Sequence, residues 1–258
     1  MKNKFYIAAN WKMNKTLKEC SEYMDYFTNL LLEIPESKVI FCPPFSALFT
    51  MKSLLEETPY ALGAQNLFWE ESGAYTGEIS AEMLLSCSVT HVIVGHSERR
   101  HLFGETDRMV NKRVLKALSS GLIPILCIGE TIEQRKNNET LAVLENQLKI
   151  GLESVSGEEI NKMIFAYEPV WAIGTGERAT PDQIAEAHVS VRISIAGIKM
   201  GNADNIPILY GGSVNSKNVS ELLKIKDVNG YLIGGASLNA DEFISIIQQT
   251  ENYIKESE

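Results

Sequence analysis

Eight short apolar runs recur along this 258-residue chain, at residues 5–9, 39–42, 60–64, 91–94, 123–128, 163–167, 206–210 and 231–233. None alternates polar with apolar positions. A strand with one wet face alternates; a run that is apolar throughout is buried on both faces, as in a parallel sheet covered by helices. The run ends (Asn10, Cys42, Gln65, His96, Cys127, Glu168, Tyr210, Gly234) lie 23 to 42 residues apart, and each gap has room for a returning helix. No linker or low-complexity tract interrupts the series. Eight such units in this length predict one α/β domain over residues 1–258, a closed (β/α)8 barrel; a doubly wound sheet is the alternative.

Several gaps show their helix. Leu17, Cys20, Met24, Phe27 and Leu31 are spaced 3, 4, 3 and 4, one face of an amphipathic helix. Thr180-Pro181-Asp182-Gln183 is a capping box with proline at the first helical position. Ile184, His188, Val191, Ile195 and Ile198 continue the buried face, which makes His188 a core histidine rather than a ligand. Asn215 and Asn239 are expected N-caps of the last two helices.

If the barrel closes, the site lies at the C-terminal strand ends. The sixth run ends in Glu168, which Pro169 holds in an extended backbone because the proline ring clashes with an α-region residue before it. Apolar Val170, Trp171, Ala172 and Ile173 follow, then Gly174, Thr175 and Gly176, with glycines free to take positive φ. That order reads as a base, a stiff hinge, a water-excluding tip and a flexible return, a lid over residues 169–179. The alternative is a surface loop whose Trp171 packs on its own domain. The fourth run ends in His96, followed by Ser97, an expected N-cap of a short helix whose amides would disfavour the charged imidazole. Asn10 and Lys12 follow the first run and can turn an amide and an ammonium into the mouth. Gly211-Gly212-Ser213 and Gly234-Gly235 end the last two runs. Glycine pairs there let backbone amides approach a ligand closely, and phosphate is commonly bound in these loops.

The net charge of −9 and the lack of a basic stripe argue against nucleic acid as the main partner, but not against a small anion. Cys20, Cys42, Cys87 and Cys127 form no C-x-x-C pair, so neither zinc nor a disulfide framework is expected. No run of about 18 apolar residues occurs, so no membrane partner is expected and the chain reads as cytoplasmic. The loop over 65–80 is far longer than the ~2–6 residues of an ordinary βα connection. It carries Phe68, Trp69 and Tyr75, aromatic anchors that suggest a subunit contact rather than a cover for its own site.

Asn10-Trp11-Lys12-Met13-Asn14, Val94 to Arg100, Ala166 to Gly176, Tyr210 to Val214 and Gly234 to Leu238 together resemble the signature segments of the triosephosphate isomerase family, whose fold is the TIM barrel. The resemblance runs in order through the whole chain. It implies a glycolytic and gluconeogenic isomerase that interconverts dihydroxyacetone phosphate and glyceraldehyde 3-phosphate without cofactor or metal. It also implies roles. Glu168 is the base, His96 the neutral electrophile and proton shuttle, Lys12 the cation that stabilises the enediolate, and Asn10 a donor beside it. Glu98 would stand behind Lys12. Gly174, Ser213, Gly234 and Gly235 would cradle the phosphate through their backbone, and the loop around Thr76 would insert into a second copy to form a homodimer.

This chain departs from the family at Ala9, where glycine is frequent, and at Asn229, where aspartate is frequent. The return hinge reads Glu177-Arg178-Ala179, with a larger middle residue than usual. Among rival readings, a Schiff-base aldolase would need a lysine ending a run, and none ends in one. A metal epimerase would need clustered histidines and carboxylates, but only His96 ends a run. A barrel kept only for binding or adhesion is opposed by the intact Asn10, Lys12, His96 and Glu168.

Overall fold

The computed structural model describes residues 5–31, 33–173 and 177–256. Its strands are β1 (Tyr6–Asn10), β2 (Lys38–Cys42), β3 (Ala61–Ala64), β4 (His91–Val94), β5 (Ile123–Ile128), β6 (Ile164–Tyr167), β7 (Ile208–Tyr210) and β8 (Gly230–Ile233). They pair in sequence order and β8 returns to β1, closing a parallel barrel. The helices are α1 (Leu17–Leu30), α2 (Leu48–Leu55), α3 (Ala81–Ser86), α4 (Ser97–Leu102), α5 (Asp107–Ser119) and α6 (Ile132–Lys136). They continue as α7 (Thr140–Gly151), α8 (Gly157–Ile160), α9 (Pro181–Lys199), α10 (Val219–Leu222) and α11 (Ala240–Glu256).

Two packed layers explain why the runs do not alternate. Ala8, Ile40, Ile93, Ile125, Ala166, Leu209 and Leu232 fill the barrel interior. Their neighbours in sequence, such as Ile7, Val39, Val92, Leu126, Phe165 and Tyr231, face outward against the helices. Successive strand residues point to opposite faces, so both faces must be apolar. Among the described residues four helices open with complete capping boxes, at Thr16/Glu19, Thr131/Gln134, Ser156/Glu159 and Thr180/Gln183. Among the described residues no helix is long and apolar enough to cross a membrane, and no group of three or more His, Cys, Asp or Glu side chains could hold a metal ion.

Details differ from expectation for local reasons. The seventh strand is shorter than its run because Pro207, which has no N–H to give the ladder, precedes it. On α1, Leu17 stays exposed and Tyr23 joins the buried face, its hydroxyl donating to the Ser237 carbonyl at 2.9 Å. Asn239 caps α11 by accepting from the Glu242 amide at 2.9 Å. Asn215 instead organises the turn ahead of α10, accepting from the amides of Lys217 and Asn218, so Asn218 occupies the N-cap position. His188 is fully buried and pairs through Nδ1 with the Asp227 carbonyl.

Candidate active site

A cavity of about 210 Å³ opens at the C-terminal end of the barrel. Asn10, Lys12, His96 and Glu168 line it together with Gly211, Gly212, Ser213, Gly234 and Gly235. Ala172 and Ile173 reach its rim.

Lys12 stands just beyond β1 at φ 51°, a left-handed backbone that side-chain-bearing residues seldom adopt. Two amides hold it there. Its N–H donates to Asn10 Oδ1 at 3.1 Å, and its carbonyl accepts from Gln65 Nε2 at 2.8 Å. The Lys12 ammonium meets Glu98 Oε1 at 2.6 Å. Gly234 makes room for the lysine stem, since a Cβ there would stand 3.2 Å from Lys12 Cε.

His96 itself is the N-cap of α4; Ser97, the expected cap, is the first helical residue. The difference matters because each then serves Glu168. His96 Nδ1 accepts from the Glu98 amide at 3.2 Å, and that hydrogen bond assigns the proton of a neutral ring to Nε2. Nε2 faces Glu168 Oε1 at 3.0 Å, while the Ser97 N–H donates to Glu168 Oε2 at 2.8 Å. Burial favours a protonated Glu168, but contacts with His96, Ser97 and Lys12 outweigh it and hold the carboxyl below its ordinary range. For His96, burial disfavours the imidazolium, but the Glu168 carboxylate outweighs it and lifts the ring above its usual value. The neutral histidine expected from the helix terminus is therefore opposed as long as Glu168 rests against it.

The segment expected to form a lid leaves β6 through Pro169 and a single 3₁₀ turn, Val170–Ala172. Glu130 anchors that turn, a residue the sequence reading passed over. Its fully buried carboxylate accepts from Tyr167 OH at 3.1 Å, Trp171 Nε1 at 3.0 Å and Arg135 Nη1 at 2.9 Å. Only its place at the end of a buried run could have flagged it. Gly174, Thr175 and Gly176 lie outside the described residues, and with them the expected phosphate contact of Gly174. Where the far hinge is expected, Glu177 and Arg178 are exposed and Ala179 is buried.

In the long third loop, Phe68 stacks near Trp69 (4.1 Å between centroids) and Tyr75 (4.7 Å), and Trp69 lies under Arg113 of the same chain. Phe68 and Trp69 thus pack at home, half-buried, whereas Tyr75 and Thr76 are exposed.

A closed parallel barrel with these groups gathered at its C-terminal mouth defines a (β/α)8-barrel isomerase. The family model described as triosephosphate isomerase matches residues 5–250. A triosephosphate isomerase of Geotalea uraniireducens (strain Rf4) is 47% identical over 246 residues, covering 95% of this chain and 98% of the relative. One from Citrifermentans bemidjiense is 48% identical with the same coverage, and one from Aquifex aeolicus (strain VF5) is 47% identical over 93% and 97% of the two chains. The chain belongs to the triosephosphate isomerase family.

Proposed function

We propose that this isomerase interconverts dihydroxyacetone phosphate and D-glyceraldehyde 3-phosphate through an enediolate, with Glu168 as base, His96 as electrophile and Lys12 as electrostatic stabiliser. The observation that carries the reading is the buried Glu168–His96 pair beside Lys12 in one small cavity. Substrate and product are isomers, so the chemistry consumes no redox partner. Glu168 takes the proton from one carbon and returns it to the other. His96 Nε2–H donates to the carbonyl oxygen and passes the proton between the two oxygens. Once Glu168 leaves His96 for the substrate, the contact that raised the imidazole is gone, and burial favours the neutral ring.

Positioned acid–base groups contribute roughly 10²–10⁴-fold. Donors aimed at the developing oxyanion contribute roughly 3–4 kcal/mol each. In this reading Lys12 and Asn10 serve the oxyanion side, and the backbone of Ser213, Gly234, Gly235 and Gly174 holds the phosphate. Closure of the lid expels water and holds the phosphate in the enediolate plane, which discourages its elimination. The test is a coupled assay with glyceraldehyde 3-phosphate on wild type and Glu168→Gln. Turnover should fall by orders of magnitude in the variant with binding of glycerol 3-phosphate retained; near-wild-type turnover would remove Glu168 as the base.

The assembly proposed is a homodimer through the 65–80 loop. Beside the site lies a second cavity of about 190 Å³, lined by Met13, Gln65 and Phe103 together with Asn10, Lys12 and His96. Met13 is 95% exposed and Phe103 68%, apolar area that a second copy's Thr76 loop would cover. Sedimentation of Thr76→Arg should show monomer with reduced activity; an unaltered dimer would place the interface elsewhere. Three buried cysteines with no disulfide support the cytoplasmic reading.

A further inference from the structure

We infer that Gln147 is a positioning residue that sets the base and the near hinge of the lid by clamping the backbone of Gly129. The inference rests on the reading of Glu168 as base. Gln147 lies on α7 and does not line the cavity. Its Oε1 accepts from the Gly129 N–H at 2.8 Å, and its Nε2 donates to the Gly129 carbonyl at 3.1 Å. One side-chain amide thus satisfies both backbone polar groups of a buried residue just past the end of β5, where the ladder to β6 has stopped at Ile128.

Gly129 is pressed against the base. A Cβ on it would overlap the carbonyl of Glu168, and Glu168 Cα would stand 3.3 Å away. The next residue, Glu130, accepts from the Val170 amide with its own carbonyl at 3.1 Å and from Trp171 and Tyr167 with its carboxylate. Residues 129 and 130 therefore form a two-residue shelf. Glu168 rests on one end, the first turn of the lid hangs from the other, and Gln147 fixes it from outside the barrel.

A shelf free to shift would move the carboxylate relative to His96 and the substrate carbon. A misplacement of about 1 Å costs on the order of 100-fold in rate. Substrate binding would suffer less, because Ser213 and Gly234 follow β7 and β8 rather than β5, which carries the shelf. The effect should appear in kcat and leave KM nearly alone. A looser base would also lose part of its contact with His96 and Ser97, so the acid limb of kcat/KM should move upward.

The experiment measures kcat, KM, the pH profile and thermal midpoint for Gln147→Met, Gln147→Glu and Asn111→Ala beside wild type and Glu168→Gln. Gln147→Met keeps the volume and removes both hydrogen bonds; Gln147→Glu keeps the acceptor for Gly129 N–H. Asn111 makes a similar clamp at the far end of α7, donating to the carbonyls of Gly151 and Glu153, and touches nothing at the site. Expected is a loss in kcat of about 10- to 100-fold for Gln147→Met, a smaller loss for Gln147→Glu, and KM within about threefold of wild type in both. Asn111→Ala should lower the thermal midpoint and keep kcat. Unchanged kcat in folded Gln147→Met, or losses that merely track the midpoint as in Asn111→Ala, would overturn the clamp. Retained turnover in Glu168→Gln would instead overturn the base, a separate outcome.

Discussion

The carboxylate of Glu168 is held by the backbone N–H of Ser97, 71 residues earlier in the chain, at 2.8 Å. Glu168 is therefore parked on the first amide of α4, turned to His96, and in the proposed role of base it leaves both to reach a substrate carbon. A hydrogen bond to a charged group is worth roughly 1.5–3 kcal/mol net. In the proposed mechanism substrate binding supplies that much through interactions distant from the reacting carbon, which is the role proposed for the loops after β7 and β8.

Lys12→Ala should weaken substrate binding and slow chemistry together, because the ammonium faces both the cavity and Glu98. A fall in kcat/KM of at least about 100-fold is expected if it stabilises charge made in the transition state. Steady-state kinetics that leave kcat/KM unchanged would take Lys12 out of the site.

Trp171 should report the lid. Its indole donates to buried Glu130 and lies under Arg135, so movement of the turn changes its surroundings. Saturating glycerol 3-phosphate should change Trp171 emission in a variant with Trp11 and Trp69 replaced by Phe. A flat titration under saturating ligand would count against closure.

Acid should destabilise the fold well before its carboxylates titrate. Burial pushes both His91 and His188 down to about 4 from an ordinary 6.5. A histidine depressed in the fold stays neutral while the unfolded chain takes up a proton, so stability present above pH 6.5 is lost as pH falls toward 4. The full effect is about 3 kcal/mol per residue, at 1.36 kcal/mol per pH unit. Urea denaturation should show this slope, and His188→Asn should remove roughly half of it; an identical slope would mean His188 titrates normally.

Both strand-end glycine pairs and the Glu168-Pro169 junction were legible because each is a local pattern with a local cause. Ser97 was misread by one position: capping preference points to a hydroxyl, whereas here the imidazole of His96 does the capping. Gln65, Glu130 and Gln147 carried no signal of their partners. Each is an ordinary polar residue beside or between apolar ones, and its partner is 18 to 53 residues away.

By itself the sequence determined the eight doubly buried strands, the helices that cap between them and the residue types offered at their ends. Periodicity, proline and glycine act over a few residues and can be read one segment at a time. Closure of the barrel decided the rest. Only when β4, β5 and β6 lie side by side does Ser97 meet Glu168, Glu130 meet Trp171 and Gly129 press on the base, because those contacts depend on register between strands and not on any spacing within one.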